Sequence, residues 1–169
     1  MSVYYDFEEV DAFTVGAVGQ PGARTFFLQA RRGTVRVTVK CEKQQASAIA
    51  DYLRRVLNDL PDPTEKPVPG AMELATPVDA VFVLGPVGLG YDRTTDRVLV
   101  QLEEVMEVDE EGEPLDDDED RGHLRVFLTR SQAAAFCEHT DAVVSAGRPA
   151  CRWCTQPMNP EGHACPRMN

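Results

Sequence analysis

The chain has 169 residues, 43% of them hydrophobic and 27% charged, a globular balance with room for one core. Its formal net charge of −11 opposes sequence-independent binding to nucleic acid and to anionic membrane surfaces, both of which reward cations. No apolar run reaches membrane-spanning length, and the start shows no basic segment leading into an apolar one, so a cytoplasmic location is expected.

After an opening rich in aromatics and acids, Phe13 to Gly19 predicts a strand that runs into a glycine turn at Gln20-Pro21-Gly22. Arg24 to Ala30 predicts its return. Val35, Val37 and Val39 alternate with polar residues and predict a third strand. Ala46, Ile49, Ala50, Leu53, Val56, Leu57 and Leu60 then share one helical face. Pro61-Asp62-Pro63 stops the helix, and Pro67 to Gly70 reads as a linker.

The same β-β-β-α order is expected a second time. Laying Phe13–Thr25 over Phe82–Thr94 without gaps matches Gly16 with Gly85, Val18 with Val87, Gly19 with Gly88 and Arg24 with Arg93. A wider constant spacing carries Ala46, Ile49, Ala50 and Leu53 onto Ala133, Phe136, Cys137 and Thr140, and Val37, Val39 and Cys41 onto Leu124, Val126 and Leu128. The extra residues of the second copy fall in the acidic run from Glu103 to Asp120. That run repels itself, and its later part is expected to be a solvated, mobile loop. The expectation is an α+β body over 1–147, with pseudo-duplicated halves at about 7–63 and 78–147. The halves share an antiparallel sheet with both helices on one face, and a tail occupies 148–169.

The tail carries the strongest chemical signal. Cys151 and Cys154 have knuckle spacing, and His163 and Cys165 stand two apart, so on a short strand they leave on one face. Asn159-Pro160-Glu161-Gly162 between them has the residues of a type I turn. Three thiolates and an imidazole complete a tetrahedral shell, which predicts one structural Zn2+ in a zinc-knuckle hairpin. Three other readings compete with it, and each fits less well. A redox Cys-x-x-Cys needs a βαβ context that is missing here. A disulfide framework belongs to small secreted domains. A catalytic zinc leaves one position for water, whereas four ligands close the shell.

Two long blocks resemble a known family. Thr14-Val-Gly-Ala-Val-Gly-Gln-Pro-Gly-Ala-Arg-Thr-Phe-Phe-Leu-Gln-Ala30 is similar to its opening signature, with Glu42-Lys-Gln-Gln45 at the helix start. Ala146-Gly-Arg-Pro149, Cys151-x-x-Cys154, Asn159-Pro-Glu-Gly-His163 and Cys165-Pro-Arg167 resemble its close. The family is that of actinobacterial proteins of unknown function ending in a cysteine/histidine tail. The resemblance implies a cytoplasmic protein, often encoded near histidine-phosphatase-like and lipid-kinase-like proteins, and no established activity. The chain departs from it at Thr155, where glycine is expected, and at Tyr91, where tryptophan is expected.

Other residues carry weaker chemistry. Gly16-x-x-Gly19-x-x-Gly22 could be a phosphate loop, but Arg24 to Ala30 beyond it predicts a strand rather than the required helix, so a tight hairpin is the better reading. Arg24 and Arg93, in matching places, are candidate anion-binding residues if they flank one site between the halves. His123 and His139 have no nucleophile in a recognisable setting beside them. Cys41 and Cys137 fall on apolar positions as core residues, and Asp116–Asp120 lacks the pattern of a calcium loop.

No catalytic residue emerges. The leading expectation is a non-enzymatic protein-interaction or regulatory module, whose zinc hairpin displays Trp153 and Met158 as candidate interface residues and whose acidic body favours a basic protein partner. The alternative is a small enzyme or anionic-ligand-binding protein with its site near Arg24 and Arg93. Nucleic-acid binding through the tail is disfavoured, since only Arg152 and Arg167 oppose the acidic body, although the Trp153 indole could stack on a base.

Overall fold

The computed structural model describes residues 3–67, 70–115, 120–147, 150–156, 158 and 162–168. The elements are β1 (Tyr4–Phe7), β2 (Ala12–Val18), β3 (Thr25–Arg32), β4 (Val35–Cys41), α1 (Lys43–Asn58), β5 (Ala80–Asp92), β6 (Arg97–Glu104), β7 (His123–Leu128) and α2 (Arg130–Ser145). The strands form one sheet in the order β1-β7-β6-β5-β4-β3-β2.

The sheet is mixed rather than antiparallel. β2-β3-β4 and β5-β6-β7 are antiparallel meanders, but β4 pairs with β5 in parallel, and so does β1 with β7. The helix α1 is the reason for the first parallel pair: a strand that reaches its neighbour through a helical crossover arrives running the same way. β1 was not expected at all. Its four residues are too short for a periodic signal, and it joins the second meander although it precedes the first.

The sheet is strongly curled. β1 and β2 are its two edges, yet only residues 8–11 connect them. That link spans at most about 18 Å. A flat sheet of this many strands would be roughly 29 Å across. Val10, inside the link, is buried, and its carbonyl accepts a 2.7 Å hydrogen bond from the Gln132 side chain at the start of α2. One core fills the curl: Phe13, Val15, Leu28, Val37 and Val39 from the first meander, Val98, Val100, Leu102, Leu124 and Val126 from the second, and the apolar faces of both helices.

The helices bury matching positions, Ala46, Ile49, Ala50 and Leu53 in α1 and Ala133, Phe136, Cys137 and Thr140 in α2. Each begins with a capping box whose N3 residue is glutamine, Gln45 or Gln132. Leu57, on the predicted apolar face of α1, is only half-buried, and so is Val144 in α2; both lie in the last turns of their helices. Small residues at the crossing let the helices meet closely, with the Cys137 thiol 3.3 Å from the Ala50 carbonyl. Arg54 ties them from outside, donating to Asp51, to Asp141 and to the Cys137 carbonyl.

The register corrects the gapless alignment of the two halves. Val15 pairs with Leu28, which pairs with Val39, whereas Leu89 pairs with Val100, which pairs with Val126. With Val39 matched to Val126, Val15 therefore corresponds to Leu89, not Leu84. The glycine identities are slipped, because β5 contains a bulge after Leu84 and extends well beyond the length of β2. Gly16 sits in regular pairing opposite Phe27, while Gly85 lies in the bulge, where any Cβ would come within 2.6 Å of the Val105 Cα.

A strap formed by residues 70–77 crosses the outer face of β2-β3-β4; it follows the stretch read as linker, Pro67 to Gly70, of which Val68 and Pro69 lie outside the described residues. Thr14, Gln29 and Thr38 form a buried polar row beneath it. Thr14 donates to the Met72 carbonyl at 2.7 Å, and Gln29 exchanges two hydrogen bonds with the Ala75 backbone, at 3.1 and 2.8 Å. Arg31 and Arg36 add bonds to the Ala71 and Thr76 carbonyls. The strap thus pairs polar groups that would otherwise be costly to bury.

The acidic run is also more ordered than expected. Glu103 and Glu104 end β6, and residues 107–115 form a small hairpin with Val108 bridged to Pro114. Asp116–Glu119, the expected mobile part, lie outside the described residues.

Candidate metal centre

The knuckle at Cys151 is built by its own backbone. The Thr155 N–H donates to the Cys151 carbonyl and the Cys151 N–H to the Gln156 carbonyl, both at 2.8 Å, which folds the chain back on itself. Thr155 is held at φ 63, the left-handed region that glycine occupies freely and a β-branched residue does not. Inside the fold the Trp153 N–H reaches the Cys151 sulfur at 3.4 Å. Hydrogen bonds from the Cys154 and Trp153 amides hold the Cys151 thiol below its usual pKa, favouring the thiolate that a metal needs. A second turn at Cys165 is closed by the Met168 N–H on the Cys165 carbonyl at 3.1 Å. The turn predicted at Asn159–Glu161 lies outside the described residues.

The two turns bring Cys151, Cys154, His163 and Cys165 together, with one donor atom from each lying within 4.8 Å of all the others. The Cys151 and Cys165 sulfurs are 3.9 Å apart, and His163 Nε2 is 3.3 Å from the Cys154 sulfur. A tetrahedral zinc has edges of about 3.8 Å between sulfurs and about 3.6 Å between nitrogen and sulfur. The first distance is far too long for a disulfide, and all five cysteines are free. Cys151 and Cys165 are buried while Cys154 and His163 are half-buried, so the centre is partly shielded from solvent. His163 Nδ1 is buried and lacks a hydrogen-bond partner among the described residues, leaving Nε2 as the nitrogen turned toward the sulfurs. The donor set fits a metal ion.

The remaining candidates are dispersed. Arg24 donates to the Val143 carbonyl in the last turns of α2 at 2.9 Å and lies over the Phe26 ring, so its charge complements a helix C-terminus. Arg93 is exposed in the turn after β5, two strands away from β3 and ten residues beyond Val83, whereas Arg24 lies only three residues before Phe27 at the same level of the sheet. By register the residue matching Arg24 is Asp96, immediately before β6, so the expected arginine pair does not form. His123 is 3.9 Å from Glu103, and His139 lines a cavity of about 430 Å3 between α2 and residues 63–72. The Cys41 and Cys137 thiols are pushed up to about 12 and about 11, chiefly by burial, which makes them inert core groups. Trp153 is 54% exposed and carries the Arg152 guanidinium against its ring, whereas Met158 is half-buried. Among the described residues no helix is long and apolar enough to cross a membrane.

The fold and the site together define an α+β protein with a seven-stranded mixed sheet, two helices and a C-terminal Cys3His cluster able to hold a metal ion. Residues 5–165 match the family model described as protein of unknown function (DUF3090), and the chain belongs to that family. No curated protein and no solved structure matches it.

Proposed function

We propose that the chain is a non-enzymatic protein-interaction or regulatory module, in which one structural zinc orders the tail and the tail presents Trp153 to a protein partner. The observation that carries this is the exposure of the one tryptophan beside a closed set of four ligands. A hairpin needed only to cover the core would bury that ring, and tryptophan is enriched at binding interfaces. A metal-fixed turn holds the indole in place and lowers the ordering cost of binding. The thiolate ligands fit a reducing compartment such as the cytoplasm, and the net charge of −11 favours a basic partner. The equal β-β-β-α order and matching buried helix positions support an ancestral duplication of the body.

The test is a comparison of wild-type protein and Trp153→Ala in affinity purification from native cells, with zinc content and thermal unfolding measured on both. Loss of the same recovered proteins from the variant, with zinc and unfolding unchanged, is the expected result. Unchanged recovery would remove the tail as the interface.

A further inference from the structure

The outer face of the second meander carries a strap seat with no strap on it among the described residues. In the register that sets Val15 with Leu89, Gly16 corresponds to Gly90, Thr14 to Gly88 and Gln29 to Gln101. In the first meander these positions hold the strap at 70–77. Leu74 sits over Gly16, Thr14 donates to the Met72 carbonyl, and Gln29 exchanges two hydrogen bonds with the Ala75 backbone. In the second, a Cβ added at Gly90 would meet nothing within 4 Å, and one at Gly88 only the Gln101 Cβ at 3.6 Å. The Gln101 side chain bonds only to the Glu103 carboxylate among the described residues, at 3.1 Å.

A glycine inside a strand gives up side-chain packing and backbone entropy, and it is kept where a bulge, a bend or the close approach of another chain requires it. β5 pairs regularly with β6 from Val87 to Asp92, so neither Gly88 nor Gly90 serves a bulge. Gly88 pairs with Gln101 and Gln101 with Arg125, while Gly90 pairs with Leu99 and Leu99 with Phe127, which sets all six on one face. Their strand neighbours Val98, Val100, Leu124 and Val126 are fully buried in the core, so this face is the outer one. Leu99 and Phe127 are half-buried and form a shallow apolar floor beside the two glycines. The charges around the floor already have partners. Arg125 pairs with Asp6, Glu103 lies 4.0 Å from Arg121, Asp92 accepts from the Thr94 amide at 2.9 Å, and Arg97 donates to the Thr95 and Asp96 carbonyls. A charged occupant would therefore lose its hydration here without gaining a free counter-charge.

We infer that this face docks an extended, uncharged segment of a protein partner, which crosses β5-β6-β7 as the strap crosses β2-β3-β4. A leucine-sized side chain of that segment would sit over Gly90, against Leu99 and Phe127. Its backbone would exchange hydrogen bonds with the Gln101 amide, which offers both a donor and an acceptor. The inference extends the reading as an interaction module to a second surface, and it uses no residue of the zinc tail.

The probe is a blocked synthetic peptide with the strap's own sequence, Ala71-Met-Glu-Leu-Ala-Thr-Pro77, made neutral by Glu73→Gln. It is titrated into the isotope-labelled full-length chain and followed by amide NMR. Shifts are expected at Gly88, Gly90, Leu99, Gln101 and Phe127, and not along β2–β4. A peptide with alanine in place of its leucine should bind at least about fivefold more weakly. Gly90→Leu fills the seat with the chain's own side chain and should weaken binding at least about tenfold. Gln101→Ala should also weaken it, which keeps the test intact if circular dichroism shows that Gly90→Leu does not fold. Trp153→Ala should bind as wild type. No shifts at millimolar peptide, shifts along β2–β4 from exchange of the tethered strap, or unchanged binding by the folded face variants would each overturn the site. A dimer at the NMR concentration that Gly90→Leu dissociates would make the occupant a second copy and overturn the partner assignment. The expected shifts, together with unchanged recovery of cell proteins by Trp153→Ala, would remove the tail as an interface and keep this face.

Discussion

The Leu74 side chain lies over Gly16: a Cβ placed on Gly16 would stand 2.4 Å from Leu74 Cγ. The glycine that invited a phosphate-loop reading is instead the seat of the strap over β2-β3-β4. Gly16→Ala should cost about 1–3 kcal/mol through overpacking. Leu74→Ala in the same chain should recover part of that loss, since the two substitutions share one contact. Denaturant titration of the single and double variants checks this. Additive losses would mean the strap is not seated on Gly16.

Thr155 gives a prediction of the opposite sign. Holding a β-branched residue at φ 63 costs about 1–2 kcal/mol. Thr155→Gly should therefore stabilise the knuckle, even though it gives up the 2.6 Å bond from the Thr155 hydroxyl to the Cys154 carbonyl. We expect about 1 kcal/mol, or about fivefold tighter metal binding in competition with a chromogenic chelator. Weaker binding by the variant would show that the hydroxyl matters more than the strain.

Metal analysis of protein purified without chelator should find one zinc per chain, and Cys165→Ser should lower the content sharply. The hydrogen bonds that close the two knuckle turns run within the tail. Stripping the metal should accordingly expose the amides of residues 150–168 to hydrogen exchange while those of β2–β7 stay protected. Global loss of protection would place the tail inside the main cooperative unit.

Asp96 provides a pH prediction. The Tyr91 hydroxyl donates to its carboxylate at 2.5 Å and Arg130 lies at 3.2 Å, and these hold its pKa below the ordinary carboxylate value. A carboxylate depressed on folding contributes stability above its unfolded pKa, and that contribution disappears as pH falls through the folded one. Asp96→Asn, which tolerates the local φ of 51, should therefore lower the unfolding midpoint at neutral pH and flatten its decline below about pH 4. Parallel pH profiles for the two proteins would show that Asp96 does not couple to folding.

In the core, Phe136 stacks on Phe13 with ring centroids 4.9 Å apart, and Leu53 is fully buried. Truncation of either to alanine should cost roughly 2–5 kcal/mol in denaturant titration. Leu57→Ala should cost clearly less, since its side chain is only half-buried.

The parts of the fold legible in the sequence are those where one residue's environment repeats at a fixed period. The buried stripe of α1 from Ala46 to Leu53 and the alternation of Val35–Val39 were readable for that reason. So was the Cys3His cluster, because Cys151-x-x-Cys154 and His163-x-Cys165 are local pairs whose spacing aims their donors toward one point. What was not readable depends on distant partners. Tyr4–Phe7 is a strand only because β7 offers an edge, and residues 70–77 are a strap only because Thr14, Gln29 and Thr38 present polar groups to it. A signal for the strap did exist in Gln29, a glutamine set between the apolar Leu28 and Ala30 of β3. The glycine pairs misled because a bulge at Gly85 breaks the constant spacing that a gapless alignment assumes.

The pairing of β1 with β7 sets the order of synthesis against the order of assembly. Tyr4–Phe7 leaves the ribosome about 120 residues before its partner, His123–Val126. At ordinary translation speeds that is a wait of roughly 6 to 24 seconds. Meanwhile β2-β3-β4 can close by local hairpins, with the free edge of β4 waiting for β5. The opening strand is thus the last to find its place, so deleting residues 1–7 should spare the first meander and leave β7 as an open edge.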